Sequence, residues 1–114
     1  MILPPTIKSL KNRAFSDAFI STLNLPEGIK EIPNSCFEYA RISELKIPSS
    51  VQNIKNYVFE EAEIDALYLP DNLKSIYSDA FKNYKHPRIF YKGKRYATRK
   101  GALQALENNG VLII

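Results

Sequence analysis

Twenty-two residues separate Leu67-Tyr68-Leu69-Pro70 from Leu45-Lys46-Ile47-Pro48. The same interval leads back to Leu23-Asn24-Leu25-Pro26 and to Met1-Ile2-Leu3-Pro4. Phe15, Phe37, Phe59 and Phe81 keep the same beat. A fixed period of this length, held without an insertion, is the sequence mark of a solenoid.

The copies are 1–22, 23–44, 45–66 and 67–88, with a partial fifth at 89–91. Aligned, they give apolar columns. These are Met1, Leu23, Leu45, Leu67 and Ile89; Leu3, Leu25, Ile47, Leu69 and Tyr91; Ile7, Ile29, Val51 and Leu73; Leu10, Ile32, Ile54 and Ile76; and the four phenylalanines. A further column, Ile20, Ile42 and Ile64, ends in His86. One copy cannot bury so many apolar side chains alone, so the copies must stack and share a core. Strand pairing then sets a rise of about 4.8 Å per copy.

Leu67-Tyr68-Leu69 alternates in, out, in, which is the period of a strand. Each proline that follows lacks an N–H and ends the rung in a turn. A second short extended piece is predicted at Ile7–Leu10, Ile29–Ile32, Val51–Ile54 and Leu73–Ile76. The column Asn12, Asn34, Asn56 and Ser78 suits a cap, and predicts a turn of helix or 3₁₀-helix before each phenylalanine. Ala14, Cys36, Val58 and Ala80 form a small inward column. That makes Cys36, the single cysteine, a core residue rather than a reactive thiol.

The pattern Leu-x-Leu-Pro, Ile-x-x-Ile and Ala-Phe resembles the BspA-type leucine-rich repeats of bacteria and some protists, over residues 1 to about 91. The resemblance implies an α/β-type leucine-rich-repeat solenoid: a short right-handed stack of four coils with one strand ladder. It also implies a function in binding. The chain is short, its Met-Ile-Leu-Pro-Pro start has no signal-peptide character, and no wall anchor is evident. The expectation is therefore a cytoplasmic adaptor or inhibitor of bacterial or mobile-element origin, not a surface adhesin.

Residues 92–114 should form a C-terminal strand and helix cap over the last coil. Lys92-Gly93 reads as a turn, Lys94–Tyr96 as a strand, Thr98 as an N-cap and Arg99–Asn108 as a helix stopped by Asn109-Gly110. The terminal Val-Leu-Ile-Ile reads as a last strand. The opposite end has an uncovered edge at Met1 and Ile2, with Phe19 added where later copies have Arg41, Glu63 and Lys85. This predicts pairing with a second copy through that edge.

No catalytic grouping, metal ligand set or phosphate loop is evident, and no enzyme activity or cofactor is expected. Cys36 and His86 fall in different columns and roughly 10 Å apart along the stack, too far for a nucleophile and its base. Glu60, Glu61, Glu63 and Asp65 read as a solvated edge. Two surfaces remain. Outward strand positions place Glu44, Lys46, Tyr68, Arg88 and Phe90 together, the composition of a protein-binding face. Charge marks the second: residues 1–81 carry eight Lys/Arg and eleven Asp/Glu, whereas 82–114 carry eight Lys/Arg and one Glu. Within 82–100, Lys92, Lys94, Arg95, Tyr96, Arg99 and Lys100 form the alternative, a nucleic-acid site.

Overall fold

Strand pairing follows the 22-residue interval throughout the repeats. The computed structural model describes residues 1–85 and 88–114. Strands β1 (Phe19–Asn24), β3 (Arg41–Lys46), β5 (Glu63–Tyr68) and β7 (Ile89–Tyr91) run parallel in one sheet, to which β8 (Lys94–Tyr96) adds antiparallel. Leu23 pairs with Leu45, Leu45 with Leu67 and Leu67 with Ile89. β1, β3 and β5 begin four residues before the predicted rung, because Ile20, Ile42 and Ile64 face inward as well and extend the apolar edge.

The second extended piece is a ladder too, so the single strand ladder expected from the sequence becomes two sheets. Strands β2 (Glu31–Ile32), β4 (Asn53–Ile54) and β6 (Ser75–Ile76) pair in parallel, and the last strand, β9 (Leu112–Ile113), joins beside β6. The result is a β-solenoid of about three turns with one helix, not four full coils. The start of the first copy contributes only the bridge Ile2–Asn24 to the first sheet, and its end supplies Phe19–Thr22 of β1. Its Leu3, Leu10 and Phe15 are half-buried, since nothing packs on their outer side.

The turns before each phenylalanine differ from expectation. Only Ser78–Phe81 is a 3₁₀-helix. Residues in the left-handed region recur: Arg13, Ser35 and Tyr57 before the phenylalanine in the other three copies, and Asp17, Tyr39, Glu61 and Asn83 after it in all four, at φ between 51° and 62°. Such residues interrupt any helical run and cost roughly 1–2 kcal/mol each. The conformation has a use. It turns alternate N–H groups toward the next coil: Phe15 N donates to Cys36 O, Phe37 N to Val58 O and Phe59 N to Ala80 O, at 2.7–2.9 Å. A third hydrogen-bonded ladder therefore runs through the turns.

Inside these three ladders lies one apolar core. Phe15, Phe37, Phe59 and Phe81 stack with ring centroids 5.5, 6.0 and 5.2 Å apart and planes within 15°. Tyr84 meets Phe59 and Phe81 edge-on, and its hydroxyl donates to Ile64 O at 3.2 Å. Cys36, Val58 and Ala80 are fully buried, as their small column requires, whereas Ala14 in the end coil is exposed.

Beyond the last parallel strand, Lys92 and Gly93 both take positive φ, 48° and 78°. This is the two-residue turn that suits a hairpin. The helix α1 (Arg99–Asn108) starts at Thr98, whose hydroxyl accepts from Gly101 N at 3.0 Å. Gly110, at φ 83°, ends it. Gly110 N donates to Glu107 O and Val111 N to Leu106 O, the paired bonds of a Schellman turn. Buried Ala102, Ala105 and Leu106 join the core, and the helix packs against β7, β8 and β9.

Replacing Phe37 or Phe59 with Ala should destabilise the protein by about 3–5 kcal/mol. Phe15→Ala should cost less, because that ring is half-buried. Urea denaturation followed by circular dichroism measures both.

Candidate functional site

The outward residues of the first sheet form columns across the strands. One runs Asn24, Lys46, Tyr68, Phe90, with each residue directly paired to the next. Tyr68 and Phe90 stack with centroids 4.7 Å apart and planes at 16°. Lys46 Nζ sits 5.6 Å from the centre of the Tyr68 ring, close enough for a cation–π attraction. Thr22, Glu44 and Ala66 form the neighbouring column, and exposed Arg88 precedes β7. The five residues expected on the protein-binding face thus lie on the last three rungs of one surface.

Past these residues the chain bends into the proline turns, and the bend leaves a groove of about 650 Å³ across four rungs. It is lined by Lys46, Tyr68 and Phe90 of the strands and by Ser49, Asp71 and Asn72 of the turns. Tyr91 also lines the groove, and its buried hydroxyl has no hydrogen-bond partner among the described residues. The turn-side lining was not anticipated. Its signal lay in the turn residues Ser49-Ser50 and Asp71-Asn72, which read as punctuation rather than as surface. A smaller hollow of about 180 Å³ lies at the start of the strands, between Phe19, Arg41, Ser43 and Asp65.

The structure connects the two candidate surfaces. In the β7–β8 hairpin, Arg95 pairs directly with Phe90. Arg95 is therefore the next member of the outward column after Tyr68 and Phe90. Sequence reasoning had assigned it to a separate basic site, because only the two-residue turn at Lys92-Gly93 folds it back. Of the other residues of that site, Lys92, Lys94, Arg99 and Lys100 are exposed and Tyr96 is half-buried. Lys92 Nζ donates to Asn109 Oδ1 at 3.1 Å, and Arg99 donates to Phe81 O at 3.2 Å. The neighbouring aromatics Tyr84 and Tyr91 are buried.

The acidic cluster forms ion pairs across coils. Glu60 meets Lys82 at 3.9 Å, Glu61 meets Lys85 at 3.2 Å, and Glu63 meets Arg41 at 3.6 Å. Among the described residues, no group of three or more His, Cys, Asp or Glu could hold a metal ion. The reading of His86 as the end of an isoleucine column lies outside the described residues. Burial pushes the Cys36 thiol up to about 12, and hydrogen bonds from the Phe15 and Ala14 backbone only partly oppose this. A thiol so placed is protonated at neutral pH and is a poor nucleophile.

The stacked strands, the proline turns and the phenylalanine column can be set against known families. The family model of the BspA type leucine rich repeat region, in six copies, matches residues 1–87. The chain belongs to the BspA-type leucine-rich-repeat family. No curated protein and no solved structure matches it. Leucine-rich repeats of this kind are in general protein-interaction modules. No helix among the described residues is long and apolar enough to cross a membrane.

The Cys36 proton is bound more tightly in the folded state than in the unfolded one. Its stabilising contribution is present below pH 9.0 and is lost as pH rises from there toward about 12. The urea midpoint should therefore fall above pH 9, and fall less steeply in Cys36→Ala. In the native protein at pH 8, a thiol reagent should label Cys36 only after denaturant is added.

Proposed function

We propose that this BspA-type repeat protein is a non-enzymatic protein-binding module, an adaptor or inhibitor that docks a partner on its outer strand face. Glu44, Lys46, Tyr68, Arg88 and Phe90 are the contact residues. The observation that carries this reading is the Tyr68–Phe90 stack, with Lys46 against it, beside a groove of about 650 Å³. Rigid aromatics flanked by cations concentrate binding energy when a partner excludes water from them. A cytoplasmic setting, a closing role for residues 92–114 and a bacterial or mobile-element origin belong to the same proposal.

The alternative, nucleic-acid binding through residues 82–100, is supported chiefly by charge. Of the aromatics that could stack bases, Tyr84 and Tyr91 are buried, and outward Phe90 is already stacked on Tyr68. Self-association through Met1, Ile2 and Phe19 is supported by the 80% exposure of Ile2 and the 82% exposure of Phe19.

Capture of a partner from lysate should be lost in Tyr68→Ala and in Phe90→Ala, with thermal melting close to that of the parent. Retention of every captured partner by both variants would remove the strand face as the site. Any retention of short DNA or RNA should weaken steeply between low and moderate salt. No retention at low salt would eliminate the nucleic-acid reading.

A further inference from the structure

The two sheets end differently at the C-terminal side. The second sheet is completed by β9, which pairs with β6. The first ends in β8, and among the described residues no strand lies beyond it. The direction of its free backbone groups follows from the hydrogen bonds of its neighbour. Leu69 N donates to Phe90 O at 2.9 Å, so the Phe90 carbonyl points toward β5. Within a strand the N–H and C=O of one residue share a side, and adjacent residues alternate. The Ile89 and Tyr91 groups therefore face β8, and Phe90–Arg95 is the non-hydrogen-bonded pair of the hairpin. The N–H and C=O of Arg95 point away from β7, to the open edge.

The side chains around this edge carry one sign. Arg88, Lys92, Lys94, Arg95, Arg99 and Lys100 are exposed, and none has an ion-pair partner among the described residues. Further back in the stack, Arg13, Arg41, Lys55, Lys82 and Lys85 each meet a carboxylate of a neighbouring coil. After Lys85 the only acid left is Glu107. The chain thus ends its first sheet in an unpaired strand surrounded by unpaired cations.

From this juxtaposition we infer that β8 accepts an extended, acidic segment of a partner protein as a further strand of the first sheet. The Arg95 backbone donates to and accepts from the segment. Its carboxylates meet Arg95 and Arg88 on the outer face and Lys94, Arg99 and Lys100 around the helix start. Open edges recognise backbone irrespective of sequence, and the cations supply the selection for acid. A second copy of this chain is a poor occupant through the same edge, since β8 against β8 would oppose like charges. Nucleic acid has no backbone N–H or C=O to complete the ladder. The inference shares Arg88 and the first sheet with the Tyr68–Phe90 face but rests on the free backbone of β8, so a partner can occupy the face while the edge stays empty.

The test is fluorescence anisotropy of the full chain with a labelled short peptide of alternating Glu and Val. A second peptide has the same sequence with N-methyl groups on alternate residues, a third replaces Glu with Lys, and an oligothymidylate of similar charge is the nucleic-acid arm. The acidic peptide should bind at low salt, and the Lys peptide should not. N-methylation should weaken binding by about tenfold, the worth of one or two lost hydrogen bonds. Arg95→Pro should weaken it similarly, and Arg95→Glu should abolish it. Lys30→Ala, a cation in an early coil away from this edge, should leave it unchanged. The N-methylated arm uses the unaltered protein, so it decides the matter even if Arg95→Pro fails to fold. Equal binding of the N-methylated peptide, tighter binding of the oligothymidylate, or no binding of the acidic peptide at low salt would each overturn the inference.

Discussion

Parallel pairing at an interval of 22 residues is the constraint on which the rest of the molecule depends. It fixes Leu23 on Leu45 and Leu45 on Leu67 in the first sheet, and Ile32 on Ile54 in the second. The turn hydrogen bonds at Phe15, Phe37 and Phe59 pin each coil at a third point. With three ladders in register, no coil can slide without breaking all of them. Like residues must then sit on like. For isoleucine and phenylalanine this is favourable, because equal shapes pack into a continuous column. The left-handed residues of the turns are held in place by the same register, and their strain is offset by the bonds it permits.

Charge is the column property that repetition penalises. Like charges about 4.8 Å apart repel, and two outer columns change sign between neighbouring coils, Arg41–Glu63–Lys85 and Glu60–Lys82. Arg41 lies on Glu63 and Lys82 lies by Glu60. These pairs are half-exposed and individually weak. Their effect is to let the stack exist without self-repulsion. Where the acids run out, at the last coil, the cations have no counterpart, and the molecule acquires a basic end.

The hairpin, the helix and the last strand convert that end into surfaces of different kinds. The helix buries Ala102, Ala105 and Leu106, and β9 completes the second sheet. The hairpin leaves the first sheet with an edge and sets Arg95 beside Phe90. An aromatic pair flanked by Lys46 and Arg95 is the outcome. Neither surface depends on a catalytic group, and the one cysteine is withdrawn into the core.

The spacing of residues by itself determined the stack, the core columns, the proline turns and the limits of the helix. Each is encoded locally or by strict repetition: Thr98 and Gly110 act on their own neighbours, and Phe37 meets Phe59 because both occupy the same place in successive copies. Only the tertiary structure decided that Ile76 meets Ile113, that Arg95 joins the column of Tyr68 and Phe90, and that the turns before Phe15, Phe37 and Phe59 are left-handed rather than helical. The first two contacts bring together residues that share no period. Their meeting depends on where the two-residue turn and the helix carry the chain. The third is set by hydrogen bonds to the neighbouring coil, which outweigh the local preference for a helical turn.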